Sequence, residues 1–211
     1  MKTLCLLIVL LFSAVIANAQ TVDSTKIKFD KVLTEGKMTF NMPGGAVAVP
    51  VLKNIQMHYE YAITYPNKAI EIRYSVAPYA SLRNSLIKYQ KPGDTTEAFN
   101  QKLDQMSKVN VLVIAQNVGG TGHDTTIRFR SYPAEALKKD FNANWGGAAY
   151  IVVKNNSFAT DYKFCMMVFL HKDNAGDAYI MYLGNNARDV SELIKETVVP
   201  VGGFNALRFK E

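Results

Sequence analysis

Cysteine is scarce in this chain, which contains only Cys5 and Cys165 among its 211 residues. Cys5 lies in an N-terminal segment that we predict is removed, so the mature chain keeps a single thiol. One thiol cannot form an internal disulfide, and the fold must therefore be held together by its buried core. The remaining 192 of the 211 residues are enough for a domain that buries about 70% of the surface of the unfolded chain.

Histidine is also rare, with His58, His123 and His171 scattered along the sequence. A zinc site takes three or four ligands close together, and these histidines show no such spacing. His58 with Glu60, and His171 with Asp173, would each share one face of a strand, but neither pair completes a site. We therefore predict no metal ion and no cofactor.

Catalytic and phosphate-binding motifs are missing as well. Cys165 and His171 belong to one predicted strand, which places their Cα atoms about 20 Å apart and excludes a thiol–imidazole pair. The glycine-rich stretch Gly119 to Asp124 lacks the Gly-Lys-Ser/Thr ending of a P-loop, and we interpret it as a helix stop followed by a turn. We assign no catalytic residue.

The formal net charge is +6, and it falls to +5 when Lys2 is removed. The basic residues are dispersed and form no stripe, so the pattern predicts no nucleic-acid partner. The excess charge leaves association with anionic surfaces as one alternative.

The N-terminus has the pattern of a secretory signal peptide. Lys2 precedes an apolar run from Leu4 to Ile16, and small residues end the segment at Ala19. A run of this length spans about 20 Å as a helix, too short for a hydrocarbon core of about 30 Å. We predict a signal peptide at residues 1–19, cleavage between Ala19 and Gln20, a periplasmic or extracellular location, and no transmembrane segment in the mature chain.

Residues 20–35 are polar without periodicity and predict a flexible leader, whereas residues 36–211 predict a single domain. The clearest hairpin pairs Tyr61 with Tyr74 and Ile63 with Ile72, and leaves Arg73 on a wetter face. The predicted helices cover 79–89, 94–118 and 186–198, although 109–118 also fits a strand. Further predicted strands cover 38–42, 46–51, 126–132, 148–153, 162–171, 178–183 and 204–209. This order predicts an α+β single-domain sandwich with a mainly antiparallel sheet flanked by helices.

The order of elements resembles that of the Mog1/PsbP-like family of α-β-α sandwiches. The resemblance lies in the early segment Phe40-Asn41-Met42-Pro43, the hairpin from Tyr59 to Tyr74, and the strands from Tyr162 to Leu183 followed by a helix from Val190 to Val198. It covers residues 36–211. That family contains photosystem accessory subunits and a cofactor of a small GTPase, so the resemblance implies a non-catalytic, partner-binding role. It carries no site residues.

The candidate ligand or partner surface centres on the only tryptophan. Trp145 follows Asp140, Asn142 and Asn144 and precedes two glycines, a composition suited to contact with a sugar or a protein partner. His123 and Asp124 are further exposed candidates.

We predict an exported, non-catalytic binding or accessory protein that engages an envelope component or an unidentified protein. The alternative is a secreted hydrolase whose site is assembled from dispersed residues such as Asp140, His123 and Asp161. Substitution of the histidines and nearby aspartates separates the two, because only the hydrolase would lose its function.

Overall fold

The computed structural model describes residues 24–86, 93, 95–120, 127–154, 158, 161–198 and 206–211. A seven-stranded antiparallel sheet forms the centre of the fold, in the order β2-β3-β4-β8-β7-β6-β5. Its strands are β2 (Val47–Ala48), β3 (Tyr61–Thr64), β4 (Ile70–Pro78), β5 (Ile127–Ser131), β6 (Trp145–Val152), β7 (Phe164–Lys172) and β8 (Gly176–Gly184). A small second sheet pairs β1 (Met38–Phe40) with β9 (Leu207–Phe209).

In the part of the chain that the structure describes, five helices flank the large sheet. They are α1 (residues 24–35), α2 (Tyr79–Leu86), α3 (Thr96–Gly119), α4 (Ala134–Ala136, continued by a π-helical turn Leu137–Phe141) and α5 (Ala187–Val198). The predicted α+β sandwich with a mainly antiparallel sheet is confirmed. Within the described ranges, no helix combines the length and the apolar character needed to cross a membrane.

Each face of the sheet carries its own core. One face, which we call the α5 face, packs Ile72, Val168 and Ile180 against side chains of α1, α5, the π-helical turn and the small sheet. The other, the α3 face, packs Met167 and Met181 against the long helix and the segment before β3. Both faces are covered, so β7 and β8, at the centre of the sheet, are buried on both sides.

The hairpin of β3 and β4 has the predicted register, with Tyr61 opposite Tyr74 and Ile63 opposite Ile72. The prediction of a wetter second face is wrong at Arg73, which is only 3% exposed. Its guanidinium group is hydrogen-bonded to Glu71 and to the Phe158 carbonyl. Burial of the second face by α3 and its neighbouring segments accounts for the difference.

The flexible leader predicted for residues 20–35 is wrong for residues 24–35, which form α1. Phe29 of this helix is fully buried and stacks on Tyr61, with ring centroids 4.9 Å apart. The polar residues of this helix, which gave the sequence no visible periodicity, face solvent. The side chains of Phe29 and Leu33 are buried in the core.

Helix α3 includes residues 109–118, so the helical interpretation of that segment is confirmed. Its N-cap is Thr95, whose side chain accepts a hydrogen bond from the Ala98 amide. The helix ends at Gly119, and Gly120 adopts a φ of 85°, a conformation that favours glycine. Met106 is exposed, and Ser107 takes the inward position.

Candidate functional site

A pocket of about 530 Å³ opens where the first half of α3 crosses the end of the sheet. Residues from three separate segments meet there: α3, the start of β6, and the turn between β7 and β8. The lining residues are Asp104, Gln105, Lys108, Asn144, Trp145, His171 and Asp173.

The β7–β8 hairpin places two carboxylates beside His171. His171 lies opposite Asp177 in the ladder, and the next pair, Lys172 and Gly176, closes the strands. The turn needs positive φ at Asn174 (61°) and Gly176 (144°). A Cβ at Gly176 would lie 2.4 Å from the Ala77 carbonyl oxygen, so glycine is required here.

Both ring nitrogens of His171 face carboxylates. Nδ1 lies 2.7 Å from Asp177 Oδ1, and Nε2 lies 3.1 Å from Asp173 Oδ1 and 3.3 Å from Asp104 Oδ1. The histidine side chain is 6% exposed. A buried imidazole is thus surrounded by three carboxylates, and its Nε2 edge borders the pocket.

A hydrogen-bond chain behind the histidine fixes Asp177. The second carboxylate oxygen of Asp177 accepts a hydrogen bond from Ser107 Oγ at 2.8 Å, and Ser107 Oγ lies 3.0 Å from the Tyr79 hydroxyl. Ser107 belongs to α3 and Tyr79 begins α2, so the chain ties both helices to the sheet. These hydrogen bonds hold the Asp177 carboxylate in place, and Asp177 in turn holds the His171 ring in one orientation.

The surroundings change the pKa of two of these groups. Burial lowers the pKa of His171, but its hydrogen bond to Asp177 and the charges of Asp177, Asp104 and Asp173 outweigh this effect and raise the pKa above the ordinary histidine value. Burial raises the pKa of Tyr79 well above its ordinary value, so this tyrosine stays protonated at any physiological pH.

Trp145 and Asn144, both predicted from sequence, line the pocket. The Trp145 ring lies across the ladder from His171, with centroids 6.3 Å apart, and packs on Phe169 at 5.1 Å. The side-chain oxygen of Asn144, Oδ1, accepts a hydrogen bond from the backbone amide of Asp173 at 3.1 Å. The backbone amide of Asn144 donates to the His171 carbonyl. Asn144 therefore links the start of β6, where Trp145 lies, to the β7–β8 turn that carries Asp173.

The two glycines after Trp145 have a packing role. A Cβ at Gly146 would lie 2.6 Å from the Phe169 carbonyl oxygen, and one at Gly147 would lie 2.3 Å from the Arg130 carbonyl oxygen. These residues allow the close approach of neighbouring strands.

Other predicted site residues lie elsewhere. Asn142 is buried with a φ of 51°, and its side-chain amide donates to the Lys210 carbonyl at 2.7 Å, so it anchors the C-terminal strand. Asp140 is half-buried in the π-helical turn and does not line the pocket. His123 and Asp124 lie outside the described residues.

The dispersed hydrolase site gains no support from the positions of its members. Asp140 belongs to the π-helical turn that packs on the α5 face, whereas Tyr162, adjacent to Asp161, packs on the α3 face. Cys165 is fully buried, and burial raises the pKa of its thiol to about 12, so it is not a nucleophile. His58 contacts Glu60 at 3.3 Å but is 81% exposed.

Sequence reasoning missed Asp104, Ser107 and Asp177. A signal was present, because Ser107 occupies the inward position between Leu103 and Val111 on α3, and Asp177 begins an otherwise apolar buried strand. A polar residue within a buried apolar stripe indicates a specific partner. Which partner it meets is decided only by the packing of α3 on the sheet.

A second cavity, of about 480 Å³, lies along the edge strand β5. Its walls are mainly apolar, with Phe129, Tyr150 and Phe164 among them, and two arginines, Arg128 and Arg130, at its border. Among the described residues that line it, the polar side chains are Arg128, Arg130 and Tyr150, with no carboxylate and no histidine. The His171 pocket is therefore the stronger candidate site.

Comparison with known protein families finds none that matches the chain, and comparison with curated proteins finds none that is significantly similar.

Proposed function

We propose that this protein is exported and works as a non-catalytic binding protein, which takes a small hydroxyl-rich ligand, such as a sugar unit of an envelope glycan, in the His171 pocket. The observation that carries the proposal is the convergence of a tryptophan, two carboxylates and two amides around one cavity. The export part rests on the signal-peptide pattern of residues 1–19.

The pocket has the size and the chemistry for such a ligand. Its volume of about 530 Å³ lies within the range of about 300–1,000 Å³ typical of small-molecule sites. The half-buried Trp145 ring offers an apolar face, and Gln105, Asn144 and Asp173 offer donors and acceptors around it. This is the combination that a sugar ring requires, with one apolar face and a rim of hydroxyl groups.

The walls of the pocket are held in place from behind. Asn100 on α3 donates to Asn174 in the β7–β8 turn, with the two side-chain atoms 2.5 Å apart, and accepts from Arg83 of α2 at 2.8 Å. These bonds fix the turn relative to the helix. A preformed site loses less conformational entropy when its ligand binds.

Trp145 provides a direct test, because it is the only tryptophan in the chain. Its emission therefore reports on the pocket alone. We would titrate the mature protein with a panel of monosaccharides and envelope-derived oligosaccharides under selective tryptophan excitation. The expected result is a saturable change in emission for one class of sugar, with matching heats in calorimetry.

Gln105→Ala is the matched pocket variant, because Gln105 is exposed at the rim. We expect Gln105→Ala to weaken the sugar response, and Asp189→Asn, on α5 at the opposite face, to leave it unchanged. The proposal fails if no sugar gives a saturable response, or if Gln105→Ala binds as tightly as the wild type. If mass spectrometry shows that a bound oligosaccharide is cleaved, the protein is a hydrolase and the non-catalytic proposal is wrong.

A further inference from the structure

Three metal-ligating side chains meet at the inner end of the pocket. His171 comes from β7, Asp173 from the following turn, and Asp104 from α3, and one ligand atom of each lies within 4.8 Å of the other two. We propose that these three residues bind a divalent transition-metal ion, with zinc the best fit, whose open coordination position faces the pocket. The inference rests on the proposed function, since it deepens the description of the same binding site.

The distances match those around one zinc ion. Nε2 of His171 lies 3.1 Å from Asp173 Oδ1 and 3.3 Å from Asp104 Oδ1. Zinc bonds to imidazole nitrogen and carboxylate oxygen are about 2.0–2.2 Å long, and a tetrahedral arrangement then separates two ligand atoms by about 3.3 Å. The two histidine–carboxylate separations thus match a tetrahedral zinc site, and the two carboxylate oxygens lie within 4.8 Å of each other, close enough for rotation of the exposed Asp173 side chain to bring both onto one ion.

Asp177 prepares the histidine as a ligand. When His171 donates its Nδ1 proton to Asp177, at 2.7 Å, the Nε2 lone pair points at the two remaining carboxylates. Metal-binding histidines commonly donate their other ring nitrogen to a carboxylate in this way, which fixes the tautomer and makes the ligand more basic.

A proton on Nε2 does not satisfy both carboxylates. One N–H makes a good hydrogen bond to one oxygen, and the buried Asp104 Oδ1 has only the 3.3 Å contact with Nε2 and no hydrogen bond of good geometry among the described residues. A divalent ion at the same position would bind Asp104, Asp173 and His171 together. It would thus supply the partner that the buried oxygen lacks.

The charge balance also favours a cation. The carboxylates of Asp104, Asp173 and Asp177 surround a single imidazole, so the cluster stays negative even when His171 is protonated. Lys108 lines the same pocket but is exposed. A divalent ion compensates more of this charge than a proton does, and partial burial reduces the screening of the interaction by solvent.

The test is zinc binding by the mature protein after dialysis against a chelator. Isothermal titration with zinc chloride, and metal analysis after equilibrium dialysis, should give one zinc ion per chain. Cobalt in place of zinc should give the visible absorption bands of a tetrahedral site. Addition of zinc should also raise the melting temperature, because only the folded chain brings the three ligands together.

Variants assign the site. Asp104→Asn and Asp173→Asn alter partly exposed side chains and should keep the fold, yet each should weaken zinc binding by more than about 100-fold. Asp177→Asn removes the negative charge that faces Nδ1 while keeping an acceptor oxygen there, and it should weaken binding about 10–100-fold. The matched controls are His58→Gln and Asp140→Asn, which lie outside the pocket and should bind zinc as the wild type does.

The inference is overturned if the wild type binds no stoichiometric zinc, or if Asp104→Asn and Asp173→Asn bind it as tightly as the controls do. The outcome is separable from that of the proposed function. Gln105→Ala should lose the sugar response and keep zinc. A wild type that responds to sugar without binding zinc would refute the metal site alone, and one that binds zinc without any sugar response would refute the sugar proposal alone.

Discussion

Arg73 provides the sharpest test of how the sheet is stabilised. Its guanidinium is 4% exposed, lies 2.6 Å from a Glu71 carboxylate oxygen, and stands over the rings of Tyr59 and Phe158 at 4.7 and 5.0 Å. We expect Arg73→Met to lower the free energy of unfolding by about 3–5 kcal/mol, because it leaves a mostly buried carboxylate without its partner.

For a chain of this size, that loss corresponds to a fall of about 6–20 °C in melting temperature. Urea denaturation followed by circular dichroism measures it. Arg73→Lys should lose part of the same stability, since lysine keeps the charge but not the flat group that stacks between the two rings. Adding Glu71→Gln to Arg73→Met should recover part of the loss, because the unpaired charge is then removed.

Arg188→Met is the matched control, because the Arg188–Glu192 pair on α5 is exposed and should contribute nothing measurable. A loss below about 1 kcal/mol for Arg73→Met would refute the reasoning, since it would mean that the buried pair contributes no more than an average surface pair. The same conclusion follows if Glu71→Gln adds to the damage of Arg73→Met.

Three further substitutions concern buried positions. Tyr74 is fully buried and its hydroxyl has no hydrogen-bond partner within the described part of the chain, so Tyr74→Phe should raise the free energy of unfolding by about 1 kcal/mol. Tyr79→Phe, which loses the bond to Ser107, should instead lower it by about 1 kcal/mol; equal effects in thermal melts would contradict this contrast. Gly147→Ala should lower it by about 1–3 kcal/mol, because the new Cβ would force strand β5 away at Arg130. A melting temperature equal to that of the wild type would show that the strands adjust freely.

The fold class followed from local patterns. The alternation of Tyr61, Ile63, Ile72 and Tyr74 predicted the register of the hairpin. Such patterns work because side-chain direction repeats every two residues in a strand and every 3.6 in a helix. They failed at α1, where two buried residues, Phe29 and Leu33, were too few to make a periodicity visible.

The site was only partly accessible to such reasoning. Trp145 and Asn144 were chosen for their chemistry, and both line the pocket. Asn142 was chosen by the same criterion, yet its positive φ and its bonds to the C-terminal strand give it a structural role. Composition identifies groups capable of binding, but it does not tell which of them point into the same space.

By itself, the sequence determined the signal-peptide pattern, the classes of motif that are missing, and an α+β fold built on an antiparallel sheet. These depend on composition and on neighbours a few positions apart. Only the tertiary structure decided that Asp104 of α3 meets His171 and Asp173, and that Arg73 is buried. Those contacts depend on where α3 crosses the sheet, and that crossing is set by the packing of many apolar side chains, which no short stretch of sequence specifies.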